Sequence, residues 1–209
     1  LQTFCSEDLG GFYLDILKDR LYTTAASSKA RRSAQSALWH ITQTLVKLMA
    51  PILSFTAEEI WQTLYQDAED SVMLHTWQPL PELAGEAALL DKWSKVRGYR
   101  ADVTRALEEL RTAGKIGSSL QAEVRIHADG EKYEVLSSLG DDLRFVFICS
   151  KTTLIRATEE KLECAALAHA KCERCWHVRE DVGANAEHPE ICGRCVSNLH
   201  GEGEPRACA

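Results

Sequence analysis

The sequence lacks the features that mark membrane and secreted proteins. No apolar run reaches the roughly 20 residues that a membrane-spanning helix needs, and no signal peptide opens the chain. Half of the eight cysteines are scattered too widely to suggest a disulfide framework, namely Cys5, Cys149, Cys164 and Cys208. Free thiols beside a thiolate metal site predict a reducing, cytoplasmic location, and the missing apolar run predicts that the chain is not a membrane protein.

Recognisable catalytic motifs are also missing. The chain has no glycine-rich phosphate loop, no paired-carboxylate motif and no Ser-His-Asp or Cys-His arrangement at a known spacing. The first residue is Leu1 rather than Met, and an amphipathic pattern is under way within ten residues. We therefore expect a non-catalytic piece of a longer protein.

Positive charge is scarce as well. The formal net charge is −7, and none of the segments 1–79, 80–170 and 171–209 is basic overall. Broad nonspecific binding to nucleic acid needs a large basic surface. An anionic partner would therefore have to be met by a few well-placed residues.

Two cysteine pairs are the strongest signal that is present. Cys172-Glu-Arg-Cys175 and Cys192-Gly-Arg-Cys195 are separated by sixteen residues. This spacing is typical of a site in which four thiolates hold one Zn²⁺. The rival interpretations are a pair of disulfides or four unrelated buried cysteines. Because a closed four-cysteine site has no open position for water or substrate, we expect it to hold a fold and to perform no chemistry.

A zinc deaminase is a further alternative, since His188-Pro-Glu190 precedes the second cysteine pair. Those enzymes place His-x-Glu well upstream of Pro-Cys-x-x-Cys and use the His and two Cys as ligands. Here the His and Glu abut the second pair, no proline precedes Cys192, and a first cysteine pair is present. The pattern disfavours a deaminase.

Helical periodicity dominates the first 112 residues. It predicts helices over 9–22, from an N-cap at Ser28 to about residue 49, from a capping box at Thr56-Ala-Glu-Glu59, and over 86–112. A short extended segment is expected from Ser71 to Trp77, and Pro79 and Pro81 mark a linker. The predicted core of the helices includes three aromatic residues, Trp39, Phe55 and Trp61.

The pattern changes after Gly114. Alternation from Leu120 to His127 predicts a strand with one buried face, and a short helix is expected over 133–139. The apolar run 145–149 is predicted as a buried strand, and 153–158 as another. The polar tail from residue 201 is expected to be loose.

Together these patterns predict a mainly α fold. A helical bundle is followed by a small α+β junction unit and a zinc knuckle with four cysteine ligands. The predicted boundaries are 1–79 for the bundle, 80–118 for a long helix that continues it, 119–168 for the α+β unit, 169–200 for the knuckle and 201–209 for the tail.

Three cations begin the second predicted helix. Lys29, Arg31 and Arg32 lie in its first turn, where they oppose the helix dipole. A phosphate contact would explain them, and so would a solvated face or a nearby carboxylate.

Several stretches resemble a known family, the class I aminoacyl-tRNA synthetases. Their anticodon-binding domain is similar to Met49-Ala-Pro-Ile-Leu-Ser-Phe-Thr-Ala-Glu-Glu-Ile-Trp61, Phe12–Arg20 and Ala30–Ser33. The stretch Lys115–Val124 resembles the helix-to-strand signature of the isoleucine and valine enzymes. The C-terminal zinc module of the bacterial isoleucine enzymes resembles Cys172–His177, Glu187–Asn198 and the Gly-Glu-Gly-Glu-Pro-Arg206 tail.

The resemblance implies a tRNA-binding C-terminal fragment of an isoleucine–tRNA ligase. It implies one structural Zn²⁺ held by Cys172, Cys175, Cys192 and Cys195, and ATP only in a catalytic domain outside this sequence. The fragment is then inactive alone, and its partners are tRNA(Ile) and the rest of the same polypeptide. We expect a monomer.

Candidate tRNA contacts cluster around the metal site. Unpaired bases are bound by stacking on aromatic rings or guanidinium planes and by hydrogen bonds to base edges. Trp176 suits either stacking or the core of the small module, and the arginines beside the cysteines suit either RNA or the thiolates. The candidates are Trp176, His177, Arg179, Lys171, Arg174, Arg194, Arg31 and Arg32.

Two other functions stay open. A zinc module that clamps the C-terminal part onto the body would stabilise the protein without touching RNA. A related four-cysteine finger ends DNA glycosylases of the formamidopyrimidine type, although their other elements have no counterpart in this sequence.

Overall fold

The structure is a computed structural model that describes residues 1–67, 69–77, 79–80 and 82–207. Pro81 and Cys208, both named above, lie outside the described residues. The chain divides into two compact units, Leu1–Arg31 with Gly85–Ala209, and Arg32–Ala84. We call the second the helical unit and the first the larger unit.

The larger unit combines helices with a small sheet. A π-helical segment, Phe4–Leu14, continues into α1, Asp15–Thr23. Helix α2, Lys29–Met49, begins in this unit and continues in the other. The remaining elements of the larger unit are α4 (Glu86–Thr112), β1 (Ala122–Ala128), α5 (Gly130–Ser137), α6 (Leu143–Phe147), β2 (Lys151–Arg156), β3 (Lys161–Ala166), β4 (Ala170–Lys171), β5 (Val178–Arg179) and α7 (Gly193–His200).

The sheet has the order β2-β1-β3, with β1 parallel to β2 and antiparallel to β3. Strand β1 buries Val124 and Ile126 as its alternation predicts. They pack in one core with Val103 and Leu107 of α4 and with residues of α5 and α6. Phe145 of this core contacts His177, next to the first cysteine pair, with ring centroids 5.9 Å apart.

The apolar run 145–149 is buried but is not a strand. Its first three residues end α6, and Ile148 stops the helix with a left-handed backbone, φ +53°. A short apolar run fits a buried strand or a buried helix equally well, because periodicity cannot separate them at this length. The prediction of burial is confirmed and that of a strand is wrong.

The helical unit contains most of α2 and α3, Ser54–Tyr65, with a single 3-10 turn at Val72–Leu74 where an extended segment was predicted. Its core is small. Trp61 packs with Val46, Ala57 and Val72, and its indole Nε1 donates to Asp70 Oδ2 at 2.8 Å.

Two of the predictions for the helices are wrong, those of the core aromatics and of the capping box, and the predicted N-cap of α2 is confirmed. Trp39 is 51% exposed and Phe55 is 93% exposed, so of the three predicted core aromatics only Trp61 is buried. Helix α3 begins at Ser54 with Leu53 as its N-cap, which places Thr56 inside the first turn and removes the capping box. The N-cap at Ser28 is confirmed, because its Oγ accepts from Arg31 N at 3.2 Å.

The tail beyond α7 is fastened, whereas a loose tail was expected. Arg206 is almost fully buried, and Ala207 N donates to Asp142 Oδ2 at 2.8 Å. The polar composition predicted a loose tail. The ion pairs of the buried Arg206 with carboxylates instead hold the tail in place. In the parts of the chain that the structure describes, no helix is long and apolar enough to cross a bilayer. The mainly α fold class is confirmed.

Candidate metal centre and nucleic-acid interface

The four cysteines of the two pairs meet at one point. Cys172 Sγ lies 3.7 Å from Cys195 Sγ, and Cys175 Sγ lies 3.8 Å from Cys192 Sγ. All four sulfur atoms lie within 4.8 Å of one another, and all four residues are buried. A disulfide needs about 2.05 Å between sulfur atoms, so these residues are free thiols rather than bridges.

The spacing fits a metal of the expected kind. Zinc–thiolate bonds of about 2.3 Å in a tetrahedron put neighbouring sulfur atoms roughly 3.8 Å apart. Among the described residues the group of possible ligands consists of four buried sulfur donors and no oxygen or nitrogen donor, which also suits Zn²⁺. The cluster therefore fits a structural zinc site in which these four thiolates would hold the ion.

The backbone around the cluster is arranged for thiolates. Cys192 N donates to Cys172 Sγ at 3.4 Å, and Cys192 is also the N-cap of α7. Cys195 lies in the first turn of that helix, where the dipole favours negative charge. The sequence therefore places two sulfur atoms at the positive end of a helix.

The first pair forms a tight knuckle that presents Trp176. Trp176 N donates to Cys172 O at 2.9 Å, and Cys172 N donates to His177 O at 2.9 Å. These bonds hold Trp176 in a left-handed backbone, φ +64°, which is uncommon for a bulky residue. Its side chain is 60% exposed, and Lys171 Nζ lies 5.3 Å from the ring centroid. Trp176 is therefore a surface platform and not a core residue.

His177 turns inward from the same knuckle. Its Nδ1 lies 3.1 Å from Cys175 O, an atom that can only accept, so Nδ1 donates and Nε2 holds the lone pair. Burial, followed by the charge of Arg194, lowers the pKa of His177 to about 4. The ring is thus neutral near pH 7, and Nε2 has no partner among the described residues.

A buried ion network lies behind the knuckle. Arg194 donates to both carboxylate oxygens of Asp19, at 3.0 and 2.7 Å, and Arg206 donates to Asp19 Oδ1 at 2.7 Å. Glu204 lies 3.5 Å from Arg194 and 3.3 Å from Arg206. The guanidinium of Arg206 also stacks 3.4 Å from the ring centroid of Phe145.

This network fixes the charge state of Asp19. Burial opposes ionisation of the carboxyl group, but the bonds and charges of Arg194 and Arg206 outweigh it. They hold the pKa of Asp19 well below its usual range. The two parallel hydrogen bonds between the Arg194 guanidinium and the Asp19 carboxylate also require one relative orientation of the two groups. The network therefore joins α7, the tail and α1 in one orientation.

The other candidate cations differ in whether their charged groups already have partners within the protein. Arg174 donates to Thr23 O at 2.7 Å and to Tyr22 O at 3.3 Å, which ties the knuckle to the end of α1. Arg179 is half-buried and pairs with Asp181 at 2.9 Å. Lys171 is exposed beside Trp176.

The two arginines of α2 differ as well. Arg31 Nη1 lies 3.4 Å from Thr24 O, so part of its guanidinium closes the preceding turn. Arg32 is exposed. A local backbone partner thus accounts for Arg31, while Arg32 faces solvent.

A groove of about 520 Å³ opens beside the knuckle. Its walls include Tyr22 of α1, Phe145 of α6, and Trp176 and His177 of the knuckle. Tyr22 is 73% exposed. The groove is therefore bordered by exposed aromatic rings, and it contains a buried acceptor in His177 Nε2.

Sequence reasoning missed the residues that orient the knuckle. Asp19 was not among the predicted site residues, and Arg206 lies in the tail that was expected to be loose. The sequence offered one indication of this role, the resemblance of the Gly-Glu-Gly-Glu-Pro-Arg206 tail to the C-terminal zinc module of the isoleucine enzymes. No pattern in the sequence connects Asp19 to a residue 175 positions away.

Comparison with known proteins gives two family matches. Residues 1–126 match the family described as anticodon-binding domain of tRNA ligase. Residues 171–198 match the family described as zinc finger found in FPG and IleRS.

Curated relatives agree with these matches. The isoleucine–tRNA ligase of Dechloromonas aromatica is 71% identical over 209 residues, and that of Burkholderia cenocepacia is 59% identical over 212. The isoleucine–tRNA ligase of Aromatoleum aromaticum is 58% identical over 212 residues. Each comparison covers all of this chain, but the chain spans only 22 to 23% of the length of these relatives.

Proposed function

Because the chain belongs to the family of anticodon-binding domains of tRNA ligases, we propose that it is the tRNA-binding C-terminal part of an isoleucine–tRNA ligase. It holds the anticodon stem-loop of tRNA(Ile) while residues outside this sequence carry out ATP-dependent aminoacylation. The complete protein works as a monomer in the cytoplasm. The identity to three isoleucine–tRNA ligases over the whole chain supports this assignment.

The proposal depends mainly on one observation, the geometry of Trp176. Its exposed indole sits on a left-handed backbone, and such strained positions are concentrated at functional sites. Here the metal knuckle holds the backbone, so little conformational entropy is lost on binding. Base–aromatic stacking is worth roughly 1–3 kcal/mol per base. Trp176 therefore stacks on an unpaired base, with Lys171 near the adjoining phosphate.

The remaining candidates take different parts in this proposal. Cys172, Cys175, Cys192 and Cys195 hold the zinc ion. Arg174 and Arg194 orient the module through α1, whereas Arg179 and Arg32 supply charge for the RNA. His177 is buried and supports the RNA-binding surface from behind, through its bond to Cys175 O.

The test is a fluorescence-anisotropy titration of tRNA(Ile) with the zinc-loaded chain. Trp176→Ala should weaken binding roughly five- to 150-fold, the range that corresponds to one lost stack. Trp176→Phe keeps an aromatic face and should lose much less. The melting temperature should stay the same in both variants, because the side chain is exposed.

A tRNA with a different anticodon provides the specificity control. It should bind more weakly than tRNA(Ile) to the wild-type chain. Equal affinity of Trp176→Ala and the wild type for tRNA(Ile), with zinc bound, would contradict the proposed role of this residue.

The structural clamp is the second candidate, and a specific observation favours it. The bonds from Arg174 and Arg194 to α1 fasten the module to the body whether or not RNA is present. If the module were only a clamp, chelation of zinc would lower the melting temperature while Trp176→Ala left tRNA affinity unchanged. The match of residues 1–126 disfavours the glycosylase alternative.

A further inference from the structure

The connection between α2 and α3 is an uncharged stretch in a strongly charged chain. Residues 48–57 include no Asp, Glu, Lys, Arg or His, and they are flanked by Lys47 and Glu58. Charged residues make up 26% of the whole sequence. Ten consecutive residues without a charge therefore mark a local change of chemistry, and we call residues 48–57 the uncharged turn.

The apolar side chains of the uncharged turn face solvent. Ile52 is 84% exposed and Phe55 is 93% exposed, and Leu48 and Leu53 are also counted among the exposed large apolar residues. All residues from 51 to 56 are exposed. A contiguous apolar patch on the surface of a protein typically marks a site of interaction. The uncharged turn therefore has the character of a binding surface.

The turn is held in one conformation by its own backbone. Ile52 N and Leu53 N both donate to Met49 O, at 2.9 and 2.7 Å, and Ala57 N donates to Leu53 O at 2.9 Å. Ala50 and Ala57 are buried in the core of the helical unit. Because the turn is ordered in advance, its binding to a partner costs little conformational entropy.

The chemistry of the turn selects the kind of partner. Binding to the phosphates of RNA requires cations, and the uncharged turn contains none. The centre of an interface between protein surfaces is instead poor in charge and rich in aromatic residues and Met. Phe55 and its apolar neighbours therefore fit an apolar pocket on a protein.

The size of the patch indicates where that pocket lies. Separate proteins that associate stably contribute roughly 20–30 residues each, which is far more than the exposed residues 51–56. A smaller contact is sufficient when a covalent connection keeps the partner at high effective concentration. The chain spans only 22 to 23% of the length of its curated relatives, so most of such a protein lies outside this sequence.

We propose that in the complete polypeptide the uncharged turn binds an apolar pocket on the part of the same protein that lies outside this sequence, with Ile52 and Phe55 as its anchors. This inference rests on the proposed function, in which that part carries out aminoacylation. The contact fixes the helical unit against the aminoacylating part. A tRNA held by this chain is then presented for reaction in one geometry.

The experiment compares hydroxyl-radical footprinting of the complete polypeptide with that of the 209-residue chain, both wild type, zinc-loaded and without tRNA. Oxidation of Ile52 and Phe55, located by mass spectrometry, should be at least about fivefold slower in the complete polypeptide, because interface anchors lie in desolvated pockets. Tyr65, an exposed aromatic residue at the other end of α3, is the control and should be oxidised equally fast in both proteins.

A charge in the turn provides the second arm. In the complete polypeptide, Phe55→Asp should restore fast oxidation of Ile52 and lower kcat/KM for aminoacylation about tenfold or more, because a misplaced substrate reacts slowly. Leu64→Asp, the same change at another exposed position of α3, should change neither. In the 209-residue chain, Phe55→Asp should leave the melting temperature and the Kd for tRNA(Ile) unchanged.

Three outcomes would overturn the proposal. Oxidation of Ile52 and Phe55 at the same rate in both proteins would show that nothing covers the turn. Equal slowing at Phe55 and Tyr65 would place the contact along the whole of α3. A dimer of the 209-residue chain that Phe55→Asp makes monomeric, measured by light scattering, would assign the turn to a second copy.

The same measurements are independent of the proposed function. Footprinting uses no RNA, so protection of the turn is detected whether or not the chain binds tRNA. If Trp176→Ala and wild type bind tRNA(Ile) equally while the turn is protected, the proposed role in tRNA binding fails and the docking contact stands. If Trp176→Ala weakens binding while the turn is unprotected, only the docking contact is overturned.

Discussion

The molecule exposes tryptophans in two regions that are built in different ways. Trp176 stands on a knuckle of few residues, in a left-handed backbone, above four buried cysteines. Trp39 lies on helix α2 and Trp77 on the loop after the 3-10 turn, in the unit whose small core surrounds Trp61. The knuckle owes its rigidity to coordination and to buried ion pairs, whereas the helical unit owes it to apolar packing.

The contrast shows two ways to hold an exposed aromatic side chain. A knuckle too short to bury apolar surface needs a metal to offset the loss of chain entropy. A helix can display side chains on one face while the other face packs. Perturbations that act on coordination, on packing or on ion pairs should therefore affect the two regions unequally.

The largest expected effect follows removal of zinc. Structural zinc contributes roughly 10–16 kcal/mol in small modules, so EDTA should unfold the knuckle locally. Hydrogen exchange followed by mass spectrometry should show loss of protection over 171–200, while the segment around Trp61 stays protected. Equal loss of protection in both regions would contradict the conclusion that the knuckle and the helical unit are stabilised in different ways.

Truncation of the core of the helical unit should give the opposite pattern. Trp61→Ala removes the largest buried side chain there and should lower the free energy of unfolding of that unit by about 3–5 kcal/mol. Trp77→Ala is the matched control and should change it by less than about 0.5 kcal/mol. Urea denaturation followed by circular dichroism measures both, and zinc content should stay stoichiometric. Zinc loss in Trp61→Ala would show that the regions are coupled.

Weakening of the ion network should have an intermediate effect on the larger unit. Asp19→Asn keeps the shape of the side chain but removes its charge, and should cost about 1.5–3 kcal/mol. Lys18→Ala, one residue away, breaks only the exposed pair with Asp15 at 3.0 Å and should cost less than about 1 kcal/mol. Urea midpoints at pH 7 compare the two variants, and similar midpoints would argue against a structural role for the network.

The smallest effect is a change with pH. Because the folded pKa of Asp19 is depressed, its contribution to stability is fully present above the unfolded value of about 3.9. The contribution is lost as pH falls through the folded pKa. The stability difference between wild type and Asp19→Asn should therefore be constant from pH 7 to pH 5 and shrink below about pH 4.

Urea midpoints at several pH values, with zinc content measured at each, provide the check. Ligand cysteines take up protons at low pH and release metal, so only samples that retain zinc enter the comparison. A difference that grows as the pH falls would mean that Asp19 is not ionised in the folded protein.

Local patterns in the sequence determined much of this molecule. Cysteine spacing predicted the four residues whose sulfur atoms lie within 4.8 Å of one another, and alternation predicted strand β1. Periodicity predicted helices α2 and α4, and the resemblance of residues along the chain predicted the family. These features depend on neighbours within a few positions, where backbone geometry fixes which side chains share a face.

Only the tertiary structure decided which side chains remain available to a ligand. It buries Arg206 and pairs Asp19 with Arg194, yet it exposes Trp39, Phe55 and Trp176. It also leaves the Nε2 atoms of Gln43 and His177 without partners among the described residues. Burial and pairing depend on residues far apart in the chain, so no local pattern encodes them, and the same tryptophan suits a core or a surface until its neighbours are known.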